Sequence, residues 1–152
     1  MKIKSIINQL AIFSFILWWG GFTFYAAFVI PIGQKILGSH IQMGFISQQV
    51  TIRINYAALI ACLLLFLNEF FRNNCNLSKI KPFNKICLCL MLAIIIFLFF
   101  FHPLLGDLLD FQNRKVIDEP HFYFLHRIYL ILSSILWLLG IIYMSCFFRK
   151  PY

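Results

Sequence analysis

The chain has 152 residues, 62% of them hydrophobic and only 12% charged, with a formal net charge of +8. So apolar a composition excludes a soluble globular domain and points to a chain solvated mainly by lipid. The basic residues sit between and beyond apolar runs rather than along one stripe, which sets nucleic acid aside as a partner.

Four apolar runs cover about Ile6 to Ile30, Ile54 to Phe71, Ile86 to Leu105 and Phe122 to Phe148. The hydrocarbon core of a bilayer, about 30 Å thick, takes roughly 20 such residues as a helix. Barrel strands would instead alternate over short segments. The expected fold class is all-α: one four-transmembrane-helix bundle over residues 1–152. Lys2, Lys4, Arg72, Lys79, Lys81, Lys85, Arg149 and Lys150 share one side of it, while Asp107, Asp110, Asp118 and Glu119 lie on the other. Basic residues collect on the cytoplasmic side of short loops, so both termini are expected there, in a bacterial inner membrane. The same lysines and arginines can meet anionic lipid headgroups. Cys75, Cys87, Cys89 and Cys146 fall toward the cytoplasmic ends and Cys62 within the second span. With none in an outward loop, no disulfide framework is expected. Cys87 and Cys89 would point about 200° apart on a helix, poor geometry for one metal. All five read as apolar fillers.

The first run is longer than a signal-peptide core and lacks a small-residue cleavage site, so it reads as a mature helix ending at Pro31 and Gly33. Gly20, Thr23 and Ala27 share one of its faces, where small residues allow another helix to approach closely. Trp18 and Trp19 lie near mid-span. They serve either packing and lipid contact or a wall around a flat cofactor.

Ser39 and Gln42 form a capping box, and no proline interrupts the chain from there to Phe71. The second helix is therefore expected to extend beyond the membrane on the outer side, carrying Gln48, Gln49, Arg53, Asn55 and Tyr56. At its inner end Glu69 and Arg72 are spaced for a local ion pair.

Pro82 opens the third helix, where its missing amide is harmless. At the far end, proline disfavours helical geometry in the preceding residue, so a break is expected at His102-Pro103. A polar loop from Gly106 to His121 follows. In the last helix His126, Ser133, Trp137, Gly140 and Met144 recur on one face, which is expected to point into the bundle.

Topology brings His102, His126, Arg53, Arg127 and Tyr56 toward one level in the outer leaflet. Ionisable groups there are expensive in lipid and face a partner, a cavity or water. Three readings compete. One is haem b, with His102 and His126 as axial ligands, Arg53 or Arg127 near the propionates, and Trp18, Trp19 or Trp137 as walls. Helices packed ~8–10 Å apart leave little room for iron between two imidazoles. The second is a metal site on the same histidines, with His40, His121 or the loop carboxylates; Met43 would favour copper. Against both stands the plain alternative that His102 and His126 cap helix ends and hydrogen-bond their neighbours. The third reading is a non-catalytic ligand-binding or accessory subunit, docked to other membrane proteins or to itself, in an assembly such as an energy-converting complex. No nucleophile–base pair, phosphate-cradling loop or carboxylate dyad is present. Nor are there the inverted repeats of a transporter.

The segment Gly20-Gly21-Phe22-Thr23-Phe24-Tyr25 through Ile30-Pro31, with Phe124-Leu125-His126-Arg127, resembles small uncharacterised four-span bacterial membrane proteins. It is more loosely similar to the family of the transmembrane protein linked to platinum-drug resistance, and to copper-resistance membrane proteins. Pro31 and His126 match the proline ending the first span and the histidine opening the last in that group. The resemblance implies a four-helix membrane bundle and no defined activity. The four-span protoporphyrinogen-oxidising proteins resemble the first span too, but their early histidine is missing here.

Overall fold

The computed structural model describes residues 2–73 and 81–148. Lys79, Arg149, Lys150 and Cys75 lie outside the described residues. Within them, four helical stretches are long and apolar enough to cross a bilayer: Lys2–Leu37, His40–Arg72, Pro82–Asp107 and Glu119–Phe147.

The first stretch is composite: α1 (Lys2–Phe24), a π turn (Tyr25–Val29) and α2 (Ile30–Leu37). It does not stop at Pro31 and Gly33 as expected. The Ile30 N–H bonds to the Tyr25 carbonyl, five residues back. That wider turn comes immediately before Pro31 and eases the clash of the proline ring with the preceding turn. The stretch ends instead at Gly38, whose φ of 64° is left-handed and whose N–H closes onto the Gln34 carbonyl.

Ser39 then caps α3 (His40–Arg72), its side chain accepting the Gln42 N–H at 3.3 Å. At 33 residues α3 measures about 50 Å, well over the thickness of a hydrocarbon core. Pro82 opens α4 (Pro82–Asp107), which runs straight through His102-Pro103 rather than breaking there. The His102 carbonyl and ring are both bonded to Gln48 of α3, which holds this part of α4 against its neighbour. A neighbouring helix supplying polar contacts is what makes an interior proline tolerable.

The polar loop contains a short antiparallel hairpin, β1 (Leu109–Asp110) and β2 (Lys115–Val116). Asp110 turns it: its Oδ1 accepts the Gln112 and Asn113 N–H groups, each at 3.0 Å, and its Oδ2 accepts the Asn113 amide at 2.7 Å. Asp110 is committed to its own turn. α5 (Glu119–Phe148) begins three residues before the apolar run, with the Asp118 carboxylate accepting the His121 N–H at 3.2 Å.

α3 packs between α1 and α4, α4 packs on α5, and α5 returns to α1, closing a four-helix ring around a core of Phe15, Trp18, Leu65, Met91, Ile95 and Tyr143. The stripe on α5 is inward as expected, with Ser133, Gly140 and Met144 buried. The close approach occurs there and not along Gly20, Thr23 and Ala27. A Cβ on Gly140 would stand 3.2 Å from the Phe15 ring and 3.4 Å from Trp18, whereas one on Gly20 would meet nothing within 4 Å, and Ala27 is exposed. Thr23 alone of that stripe reaches α5. Of the described cysteines, Cys62 and Cys87 are buried fillers, but Cys89 is exposed, because it lies about 200° around the helix from Cys87.

Gly140→Leu is expected to lower stability by about 1–3 kcal/mol through overpacking, while Gly20→Ala leaves it unchanged or slightly raised. Thermal unfolding of detergent-solubilised protein, followed by circular dichroism, reads both. The Asn113 backbone and side chain hold the Asp110 carboxyl below the ordinary carboxylate range. Its contribution to the turn is accordingly complete above the unfolded value and lost as pH falls through the depressed one. An NMR titration of the Asp110 carboxyl carbon should give a midpoint below that of an unstructured aspartate, with the Asn113 amide shift moving in step.

Candidate ligand-binding site

At the hairpin end of the bundle, opposite the N-terminus of α1 and the C-terminus of α5, lies a cavity of about 530 Å³. α3 forms its floor with His40, Gly44, Ser47, Gln48 and Thr51, which recur every three or four residues and so share a face. α5 supplies Phe122, His126, Tyr129 and Leu130 by the same spacing, and α2 supplies Ile30 and Gln34 opposite them. Leu105, Leu109 and Val116, from the end of α4 and the hairpin, complete the wall.

Ser47, Gln48, Thr51 and Tyr129 of the cavity wall are paired within the protein. The Tyr25 hydroxyl, from the π turn, donates to Ser47 Oγ at 2.9 Å. Asn55 Nδ2 donates to the Tyr129 hydroxyl at 2.8 Å. Gln48 and His102 form a reciprocal clamp: Gln48 Nε2 donates to the His102 carbonyl at 2.7 Å, and His102 Nε2 donates to the Gln48 carbonyl at 2.8 Å. A carbonyl only accepts, so the His102 proton is on Nε2. His126 differs. Its ring lies parallel to Phe122, centroids 5.6 Å apart at 7°, and no described residue hydrogen-bonds its nitrogens.

Of the six residues expected in this site from the sequence, the cavity is lined by His126 alone. His102 stands behind Gln48, with its ring committed to α3. Arg53 is exposed and its guanidinium donates to the Gln49 carbonyl on its own helix. Tyr56 is 54% exposed beside the Phe99 ring, and Arg127 is exposed next to His126. Helical pitch is the reason: five residues from Gln48 to Arg53, or one from His126 to Arg127, rotates a side chain by about 100–140° off the cavity face. Trp137 stacks on Trp19 at 5.3 Å and 13° and donates to Thr23 Oγ1 at 2.9 Å. The two indoles fill the space between them, leaving no slot there for a flat cofactor, and Trp19 Nε1 stays buried without a partner among the described residues.

These positions bear on the ligand readings. Nothing groups three or more His, Cys, Asp or Glu side chains among the described residues. Met43 lines the cavity and is buried against Gly33, where an added Cβ would fall 2.5 Å from its Sδ, so it also serves the α2–α3 contact. Sequence reasoning missed Ser47, Thr51, Phe122 and Tyr129. Their three- and four-residue spacing with His40, Gln48 and His126 was the available signal.

A second polar cluster, at the opposite end, was only half legible. Glu69 is fully buried and pairs with Arg72 as its spacing requires. It also accepts from Asn84 Nδ2 at 2.7 Å, the Tyr143 hydroxyl at 3.2 Å and Asn73 Nδ2 at 3.3 Å, which ties α3 to α4 and α5. Arg72 in turn lies over the Phe147 ring, 5.1 Å from its centroid. Next to Glu69 in the chain, Asn68 Nδ2 donates to Asn8 Oδ1 of α1 at 3.1 Å. Glu69→Ala, which strands the Asn84 and Tyr143 donors, is expected to cost about 3–5 kcal/mol. Glu69→Gln keeps an acceptor and should cost less than half as much. Unfolding in mixed detergent micelles ranks the two.

The chain matches no family model, no curated protein and no solved structure.

Proposed function

We propose that this chain is a non-catalytic integral membrane protein that binds a small ligand in the cavity at its hairpin end. The observation that carries the reading is His126: an imidazole lining a 530 Å³ cavity, stacked on Phe122, with no hydrogen bond to any described residue. Cavities of about 300–1,000 Å³ with apolar walls and a few converging polar groups are the usual form of small-molecule sites. In this reading the positive-inside distribution puts both termini in the cytoplasm and the cavity in the outer leaflet of a bacterial inner membrane. The protein then serves as an accessory or ligand-presenting subunit beside other membrane proteins or a second copy of itself. Kinship with the small four-span bacterial proteins, through Pro31 and His126, belongs to the same proposal.

Haem b, or copper, on His102 and His126 is less well supported. The His102 Nε2 proton is used on the Gln48 carbonyl, and of these two histidines His126 alone lines the cavity, with His40 exposed at its edge. A haem protein would carry a Soret band that His126→Ala removes.

Gly44 provides the decisive variant. It lines the cavity, and a Cβ added there meets nothing within 4 Å, so Gly44→Trp starts from open space and is expected to occupy the cavity. Native mass spectrometry of the wild type, released from mild detergent, is expected to show a co-purified small molecule that Gly44→Trp lacks. Identical spectra for the two proteins would end the cavity reading.

A further inference from the structure

The cavity sits where two helices part. α1 and α5 touch through Phe15 and Trp18 at Gly140, through Trp19 on Trp137, and through the Thr23–Trp137 hydrogen bond. Beyond Thr23 comes the π turn, and from there Ile30 and Gln34 face Phe122, His126 and Leu130 across the cavity instead of packing on them. A gap between two neighbouring outer helices of a four-helix ring opens sideways, toward acyl chains when the bundle is in a bilayer. Its rim fits that setting, with Leu130 49% and Tyr123 50% exposed.

The lining contains no Lys, Arg, Asp or Glu. An ion entering it would lose water and find no counter-charge, a penalty of several kcal/mol. Ser47, Gln48, Thr51 and Tyr129 already have partners, and His40 and Tyr123 are exposed, which leaves the His126 imidazole, with Gln34 across from it, as the open polar position among the described residues of the inner wall. A neutral imidazole offers one donor and one acceptor, the match for a hydroxyl or carbonyl group.

From these three observations we infer that the ligand is an uncharged amphiphile drawn from the lipid phase, entering between α2 and α5 and bonding its single hydroxyl or carbonyl head to His126. This rests on the cavity reading above and specifies its occupant.

Three probes with one C18 chain separate the possibilities: oleyl alcohol, oleyl phosphate and oleyltrimethylammonium, each titrated onto the micellar full-length protein by native mass spectrometry. The alcohol is expected to bind at least tenfold more tightly than either charged probe. His126→Phe, which keeps the stack on Phe122, should weaken alcohol binding about tenfold. His126→Gln, which keeps a donor and an acceptor, should retain it, and Gly44→Trp should abolish it. Equal or tighter binding of a charged probe, or His126→Phe without effect, overturns the neutral-amphiphile inference while leaving a ligand cavity in place. No binding by any of the three probes also overturns it; the cavity reading itself then stands or falls on the co-purified species that Gly44→Trp removes.

Discussion

Helices surrounded by acyl chains gain little by burying apolar surface against one another, because the lipid is as apolar as a leucine. What fixes their neighbours is close packing together with hydrogen bonds made across helices. In this chain those bonds are few and placed with consequence. Asn8–Asn68 and Thr23–Trp137 hold α1 to α3 and α5; Asn55–Tyr129 crosses from α3 to α5; Gln48–His102 locks α3 to α4; and Glu69 gathers Arg72, Asn84 and Tyr143. Every one of these polar side chains would be expensive facing lipid, so each restricts the rotation of the helix that carries it.

α3 takes part in nearly all of them, which makes it the axis of the fold. Its length matters here: Gln48 and Glu69 are 21 residues apart, about 30 Å along the helix, so one element organises polar contacts at both ends of the bundle. The middle, around Leu65, Met91 and Ile95, is packed with apolar side chains. Local geometry then shapes the cavity. The π turn carries Tyr25 to Ser47 and leads into Pro31, and α2 beyond it packs on α3, with the cavity between α2 and α5. The space left between them holds the unpaired His126.

The sequence pointed to the hairpin end of the bundle, and the structure distributes the residues expected there over different helix faces. His102 and His126 were expected to share a site; one became a bonded strut and the other a lining residue. Distance along the chain and distance from the membrane boundary do not say which way a ring points, and the direction depends on Gln48, 54 residues before His102. Arg53, Tyr56 and Arg127 were grouped by depth, yet the pitch of their helices turns them outward. Glu69 illustrates the converse. Its pairing with Arg72 is a local, three-residue matter and was legible, whereas Asn84 and Tyr143 join only through packing.

Composition, run length and capping residues therefore determined the four helices, the starts at Ser39 and Pro82 and the inward face of α5. Each of these depends on interactions within a few residues or on the solvent a segment can tolerate. Only the tertiary structure decided that the first and third runs pass through their prolines, that Gly140 rather than Gly20 admits a neighbouring helix, and that a cavity opens beside His126. Those outcomes come from which side chains meet across helices, and contacts between residues dozens of positions apart leave no local signature in the chain.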